Sequence, residues 1–313
     1  MVLIADSLTA ALIPPDSLYQ RRVPDYNGRT RAARDHHEIK GDQGRLIKRV
    51  KGQTIKLDGF NNLTKSLSFN IYDMCYARSR ESQIEYLEYV DEEYNSSRLE
   101  SITEEVTRII RAHLVHVSTQ DYDPRGASVV ALINEERDEP AALSVAAPAV
   151  VGHLDKSHIA IHTYPEYQKE SGLATFRVDV DISTCGMISP LKALHYLLES
   201  FDSDVVIIDY RVRGFTRDQR GRKLFIDHDI GSIQDFISDD FLEGYTAYDV
   251  NIVADNNFHT KMRKKDIVLK DYLFGDETTS LGVNERKRIR KALDAEIQEL
   301  FECKNLGGRA SLI

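Results

Sequence analysis

From Thr175 to Thr184 apolar and polar side chains alternate without a break. Phe176, Val178, Val180 and Ile182 fall on one side, and Arg177, Asp179, Asp181 and Ser183 on the other. A period of two belongs to an extended strand that buries one face and wets the other. A helix would scatter the four apolar side chains around its circumference. The stretch therefore commits the chain to a sheet with one solvated face, which favours antiparallel pairing. If the alternation persists, Cys185 lies on the polar side.

The rest of the chain reads around that strand. Pro14-Pro15, Pro24 and several glycines break residues 1–55, which are expected to form a weakly ordered extension before a domain at 56–313. Leu67, Phe69, Ile71 and Met74 suggest a strand. Ile84, Leu87 and Val90 mark a helix that Asn95-Ser96 interrupts, and Ser97 with Glu100 forms a capping-box pattern for a second. Ile102, Val106, Ile109 and Ile110 give that second helix its apolar stripe. Strands are expected around Val115–Tyr122 and Ala127–Asn134, joined by the turn Asp123-Pro124-Arg125-Gly126, and residues 135–150 read as a loop.

Beyond Cys185, Ser189 should cap a helix with Pro190 at its first position and Leu191, Leu194 and Leu198 inward. Val205–Val212 and Lys223–Asp227 read as a hairpin around Asp218–Arg222. A short helix near Ile233–Ile237, a strand at Tyr248–Val253 and a last helix with Ile289, Leu293, Ile297 and Leu300 on one face complete the reading. The fold class is α+β, a largely antiparallel sheet with helices on one side. The order also suggests an internal duplication of strand–helix–strands, although no sequence repeat proves it.

Charge and composition narrow the function classes. No apolar run reaches the ~18–20 residues of a membrane span, and Asp6 interrupts an N-terminus that lacks a basic signal region. Three cysteines (Cys75, Cys185 and Cys303) are too few for a disulfide framework, so a cytoplasmic, reducing compartment is expected. The net charge of −9 conceals eleven Lys/Arg against four Asp/Glu between Arg21 and Lys56. That arm lacks the aromatic ladder that stacks bases, so a solvated tail is favoured over a nucleic-acid contact. His36-His37, His153, His158, His228 and His259 form no metal-ligand spacing.

Chemistry concentrates in Leu154-Asp155-Lys156-Ser157-His158-Ile159-Ala160-Ile161-His162-Thr163-Tyr164-Pro165-Glu166 and in Ser183-Thr184-Cys185-Gly186-Met187-Ile188-Ser189-Pro190. A seryl hydroxyl can attack the carbonyl before it, here that of Lys156, and turn the amide into an ester. Elimination and hydrolysis would then leave a pyruvoyl group at the new N-terminus. Such a group condenses with a substrate amine and accepts electrons as CO₂ leaves. On residue types alone an ordinary strand start is the favoured reading, because Lys-Ser pairs are common.

The weighting changes with a resemblance. Asp155-Lys156-Ser157-His158, His162-Thr163-Tyr164-Pro165-Glu166, Ser183-Thr184-Cys185-Gly186 and Ile188-Ser189-Pro190-Leu191-Lys192-Ala193-Leu194 resemble the bacterial S-adenosylmethionine decarboxylase proenzymes. Gly59–Phe69, Asp209–Asp218 and Phe225-Ile226-Asp227-His228 are similar to the longer, enterobacterial type. The likeness runs from about Lys56 to the C-terminus and implies the S-adenosylmethionine decarboxylase-like α/β sandwich. It also implies decarboxylation of S-adenosylmethionine for spermidine and polyamine synthesis.

By resemblance, Ser157 becomes the pyruvoyl group after cleavage behind Lys156, His162 removes the serine α-proton, and Cys185 protonates the product carbon. Glu166 would bind the ribose hydroxyls, Tyr122 would stack on adenine and Ser128 would assist processing. The two self-cleaved chains, 1–156 and 157–313, would stay associated in a homo-oligomer, and Mg²⁺ stimulation is implied without assignable ligands. Pyruvoyl-dependent decarboxylation of ornithine or arginine is the alternative substrate reading, and a catalytically silent regulatory paralogue is another class. Residues five apart on a regular strand face opposite ways, so contact between Ser157 and His162 calls for a bend or bulge at the cleavage point.

Overall fold

The computed structural model describes residues 57, 61–123, 125–135, 157–250, 256–274 and 280–306. The expectations for the basic extension, for most of the 135–150 loop and for Lys156 lie outside these residues. Among the described residues ten strands occur in chain order: β1 (Thr64–Tyr76), β2 (Ala112–Asp121), β3 (Ala127–Glu135), β4 (Ser157–Gln168), β5 (Leu173–Cys185), β6 (Val205–Arg213), β7 (Thr216–Arg217), β8 (Lys223–Leu224), β9 (Tyr245–Asp249) and β10 (Asn257–Lys264). The helices are α1 (Arg80–Glu93), α2 (Ser96–Ile109), α3 (Leu194–Ser200), α4 (Asp239–Glu243) and α5 (Val283–Glu302).

Eight strands form one sheet in the order β2-β3-β4-β5-β1-β6-β10-β9, with antiparallel neighbours throughout. The alternating stretch Thr175–Thr184 lies in β5. Its Phe176, Val178, Val180 and Ile182 are buried, and Cys185 is exposed on the opposite face. β1 lies centrally. It pairs with β5 from Thr64↔Cys185 to Tyr76↔Leu173 and with β6 from Thr64↔Arg213 to Tyr72↔Val205.

Two apolar clusters occupy opposite faces. One joins Leu67, Phe69 and Ile71 of β1 to Leu99, Ile102 and Val106 of α2 and Leu194, Leu197 and Leu198 of α3. The other joins Met74 and Tyr76 to Val205 and to Ile289, Leu293 and Ile297 of α5. The expectation of helices on one side therefore holds for α1 to α3, and α5 is the exception. The sequence carries the reason: alternation in β1 stops after Tyr72, and Asp73 to Ala77 are all buried. A strand loses its alternation where both faces are covered.

Other expectations shift for local reasons. α2 begins at Ser96, so Ser97 is already helical and cannot cap; the Asn95 side chain accepts from the Arg98 N–H at 3.0 Å instead. Asp121 takes up the Ser96 N–H and hydroxyl, both at 2.8 Å, and ties that helix start to the end of β2. Ser189 makes no side-chain cap, and Pro190–Ala193 is a 3-10 turn leading into α3. The expected hairpin partner of β6 is not the 223–227 segment, because β1 and β10 occupy its two edges. The hairpin shrinks to β7 and β8 around Asp218–Arg222. The described order holds a second strand–helix–strands run, β6, α4, β9 and β10, interrupted after β6 by the two-residue strands β7 and β8.

Phe176 is fully buried and stacks on Tyr94 at 4.5 Å, which stacks in turn on Phe201 at 5.6 Å. Phe176→Ala is expected to destabilise the protein by about 3–5 kcal/mol, read as a lower urea midpoint with an unchanged slope.

Candidate active site

Four strand ends meet at one end of the sheet. β4 begins at Ser157, β5 ends at Cys185, β1 begins at Thr64 and β6 ends at Arg213. Register sets Thr64 beside both Cys185 and Arg213. Ser157 is 8% exposed, and its Oγ accepts a hydrogen bond from the Cys185 backbone N–H at 3.2 Å. The Cys185 thiol is exposed and lies 3.9 Å from the Thr64 hydroxyl. Arg213 reaches the Ser66 hydroxyl at 3.2 Å on the same face. The two residues with the most direct sequence-level assignments, Ser157 and Cys185, are thus neighbours across β4 and β5.

The turn after Cys185 is held from beneath. Lys65 shares the inward side of β1 with Leu67 and Phe69 and is only 1% exposed. Its ammonium donates to the Gly186 carbonyl at 2.7 Å, to the Ile188 carbonyl at 3.2 Å and to Asp227 at 2.7 Å. Asn61 donates to the Gly186 carbonyl at 3.0 Å and to Asp227 at 2.7 Å. Gly186 adopts φ +69°, where a side chain would be strained. Sequence reasoning gave Lys65, Asn61 and Asp227 no role. The available signal was Lys65 itself, a charge at a position where the strand period demands an apolar residue. A buried lysine requires a partner.

Burial alone would raise the Asp227 carboxyl. Hydrogen bonds from His228, Lys65 and Asn61, with the Lys65 charge, outweigh it and hold the group well below the usual carboxylate range. The lowered value means this stabilisation is full above the ordinary carboxylate pKa of about 3.9 and is lost as pH falls. Asp227→Asn is therefore expected to cost about 3–5 kcal/mol at pH 7. In urea titrations its gap from wild type should narrow as pH drops below about 4.

A second group lies further along the same open face. The Tyr122 hydroxyl is 3.1 Å from His162 Nδ1, and Ser128 pairs directly with His162 across β3 and β4. Gly126, at φ +103°, forms the turn that delivers Tyr122; an added Cβ would meet the Thr163 carbonyl at 2.6 Å. Tyr122 also lines a cavity of about 260 Å³ with Val90, Tyr94 and Arg125, away from Ser157. Arg177 stacks over Tyr164 at 4.5 Å and pairs with Asp179 at 3.0 Å.

These two groups do not meet. β4 pairs with β3 from Ser157 to His162 and with β5 from His158 to Gln168 without a register shift. Among the described residues no bend or bulge separates Ser157 from His162. The one irregularity in these ladders lies in β2, between Leu114 and His116. Ser157 faces the helices, and His162 faces away from them about 16 Å further on, with Ser128 beside it. Glu166 is about 30 Å along the strand from Ser157. The physical reason is the ladder: partners on both edges keep β4 straight. Among the described residues no group of three or more His, Cys, Asp or Glu could hold a metal ion, and no helix is long and apolar enough to cross a membrane.

Comparison with known proteins gives the family. A family model described as S-adenosylmethionine decarboxylase matches residues 85–214. An S-adenosylmethionine decarboxylase proenzyme from Hahella chejuensis is 56% identical over 260 residues, 81% of this chain and 98% of that one. Proenzymes of the same name from Stenotrophomonas maltophilia and Azotobacter vinelandii are each 54% identical over 80% of this chain, covering 97% and 98% of theirs. The solved adenosylmethionine decarboxylase of Aquifex aeolicus is 18% identical over 55% of this chain and 99% of that one; its TM-score of 0.28 is too low to bear on the fold. The chain belongs to the S-adenosylmethionine decarboxylase family.

If the Gly126 turn sets Tyr122 against His162, Gly126→Ala should separate the pair. The expected result is a changed His162 ring signal in NMR, with β5 amide protection retained.

Proposed function

We propose that this chain is a precursor that opens itself between Lys156 and Ser157 and then decarboxylates S-adenosylmethionine for spermidine and polyamine synthesis. The observation that carries this reading is the hydrogen bond from the Cys185 N–H to Ser157 Oγ. It fixes the attacking oxygen at the first residue of β4 and brings the catalytic thiol to the same strand end.

In processing, Ser157 Oγ bonds to the carbonyl carbon of residue 156, the C–N bond breaks and the hydroxyl proton passes to the freed amine. Loss of the Ser157 α-proton and breakage of the Cβ–O bond release the carboxylate of residue 156. Water then replaces the nitrogen, which leaves as ammonia. The residues fit the resulting pyruvoyl group. Ser157 begins β4, so after the cut it is a chain end, and no peptide bond on that side holds its orientation. Formed from Ser157, the pyruvoyl group would supply an electrophilic carbonyl for the substrate amine and a sink for the electron pair left by CO₂.

Cys185 supplies the proton to the substrate carbon, and the Thr64 hydroxyl beside it limits where the thiol points. His162, about 16 Å along an unbroken strand from Ser157, is read here as part of the substrate-binding face with Tyr122 and Ser128 rather than as the base that takes the α-proton. Glu166 serves the ribose in this reading only if a second copy completes the site, since one strand separates it from Ser157 by about 30 Å. The polar open face, with Arg177, Asp179, Asp181, Asp209 and Arg211 on adjoining strands, supports a homo-oligomer assembled through it. Mg²⁺ belongs to the reading as a stimulant. A reducing cytoplasm suits the exposed free thiols of Cys185 and Cys303.

The test is CO₂ release from S-adenosylmethionine, ornithine and arginine, each with and without Mg²⁺. Turnover of S-adenosylmethionine alone is expected; release only from an amino acid overturns the substrate. Ser157→Ala should remain a single 313-residue chain by mass spectrometry and release no CO₂. Cys185→Ser should still cleave but lose roughly 10²–10⁴-fold in kcat.

A further inference from the structure

We propose that Lys65 is a positioning residue for the reaction: its buried ammonium holds the Cys185–Ile188 turn and so aims both the Cys185 thiol and the Ser157 oxygen. This rests on the assignment of Ser157 and Cys185 made above. Lys65 touches neither reacting atom. It has three N–H donors, and all three are used, on the Gly186 carbonyl, the Ile188 carbonyl and Asp227. Two of those acceptors belong to the turn that begins at Cys185.

Other donors converge on the same two carbonyls. Asn61 adds a hydrogen bond to Gly186 at 3.0 Å, and Thr184 adds one to Ile188 at 3.1 Å. The Gly186 N–H in turn donates to the Leu63 carbonyl at 3.3 Å. The turn is thereby tied to residues 61–65, the same stretch that places Thr64 beside the thiol. Its first residue also presents the N–H that holds Ser157 Oγ. A displacement of the turn must move both reacting side chains.

Stability is a poor explanation for this arrangement. A buried ion pair commonly gains nothing over apolar residues of the same volume. What it provides here is direction: an ammonium with three fixed acceptors holds two carbonyls that an apolar side chain could only pack against.

Direction has a chemical consequence that can be counted. After CO₂ leaves, the electron pair is shared between the substrate carbon and the carbon of the cofactor carbonyl. A proton delivered to the substrate carbon gives product and restores the cofactor. A proton delivered to the cofactor carbon gives, on hydrolysis, an alanine N-terminus on the enzyme and releases the substrate skeleton as an aldehyde. The enzyme is then dead. A misaimed thiol raises the share of the second outcome.

The experiment measures two quantities in wild type, Lys65→Met, the charge-free Lys65→Met/Asp227→Asn pair and Asn61→Ala. The first is the rate of self-cleavage. The second is the number of N-terminal alanines formed per CO₂ released, read by mass spectrometry of the 157–313 chain. The two Lys65 variants are expected to cleave more slowly and to raise the alanine count about tenfold, with a smaller rise for Asn61→Ala. A merely structural role would reduce the amount of folded enzyme and leave the alanine count per turnover unchanged. Folded variants that cleave and partition like wild type overturn the proposal. If the Lys65 variants do not fold, Asn61→Ala decides, because it leaves Asp227 its Lys65 and His228 partners. Failure of wild type to release CO₂ from S-adenosylmethionine would instead overturn the function, a result read separately from these ratios.

Discussion

The ladder between β1 and β5 is the constraint on which the rest depends. Thirteen residues of each strand pair without a slip, from Thr64↔Cys185 to Tyr76↔Leu173. A slip of one residue would send every side chain to the other face. If β5 moved, Val178 and Val180 would leave the core and Cys185 would turn inward; if β1 moved, Phe69 and Ile71 would leave it. Lys65, now inward, would turn outward and abandon the Gly186 carbonyl. Core, thiol and buried ion pair are thus set by a single register.

That register also explains how one sheet serves two purposes. Near Tyr76 and Leu173 both faces are covered, by α5 on one side and by the main cluster on the other. Near Thr64 and Cys185 only the inward face is covered, and the strand ends open to solvent. Rigidity comes from the first region, and exposure of Cys185 from the second. The buried Lys65–Asp227 pair lies under the open end.

Much of this was legible in the sequence. Strict alternation located β5 and its polar face, and the i, i+4 stripe located α2. Turn chemistry at Asp123–Gly126 joined β2 to β3. β10 was missed because Asn257–Lys264 interleaves Lys, Arg and His with few apolar residues, and its strand character comes from pairing with β6. The β6 hairpin was misjudged because period two identifies a strand without naming its partners. The bend expected at Ser157 failed for the same reason: local pattern does not report that β3 and β5 hold both edges of β4. Ser157 and Cys185 stand out in the sequence through the motifs that carry the resemblance, whereas Lys65 shows itself only as a charge where the period calls for an apolar side chain.

Strand order has a further consequence if the backbone is cut behind residue 156, as proposed. The first piece owns β1, β2 and β3; the second owns β4, β5, β6 and everything after. Yet β1 is threaded between β5 and β6, and β3 lies against β4, so three seams of the sheet join different polypeptides. The pieces cannot be drawn apart without dismantling the middle of the sheet. Once unfolded, they must find each other by diffusion before β1 regains its slot. In the proposed mature form, assembly is unimolecular the first time and bimolecular ever after: two chains would share one sheet that formed while they were one.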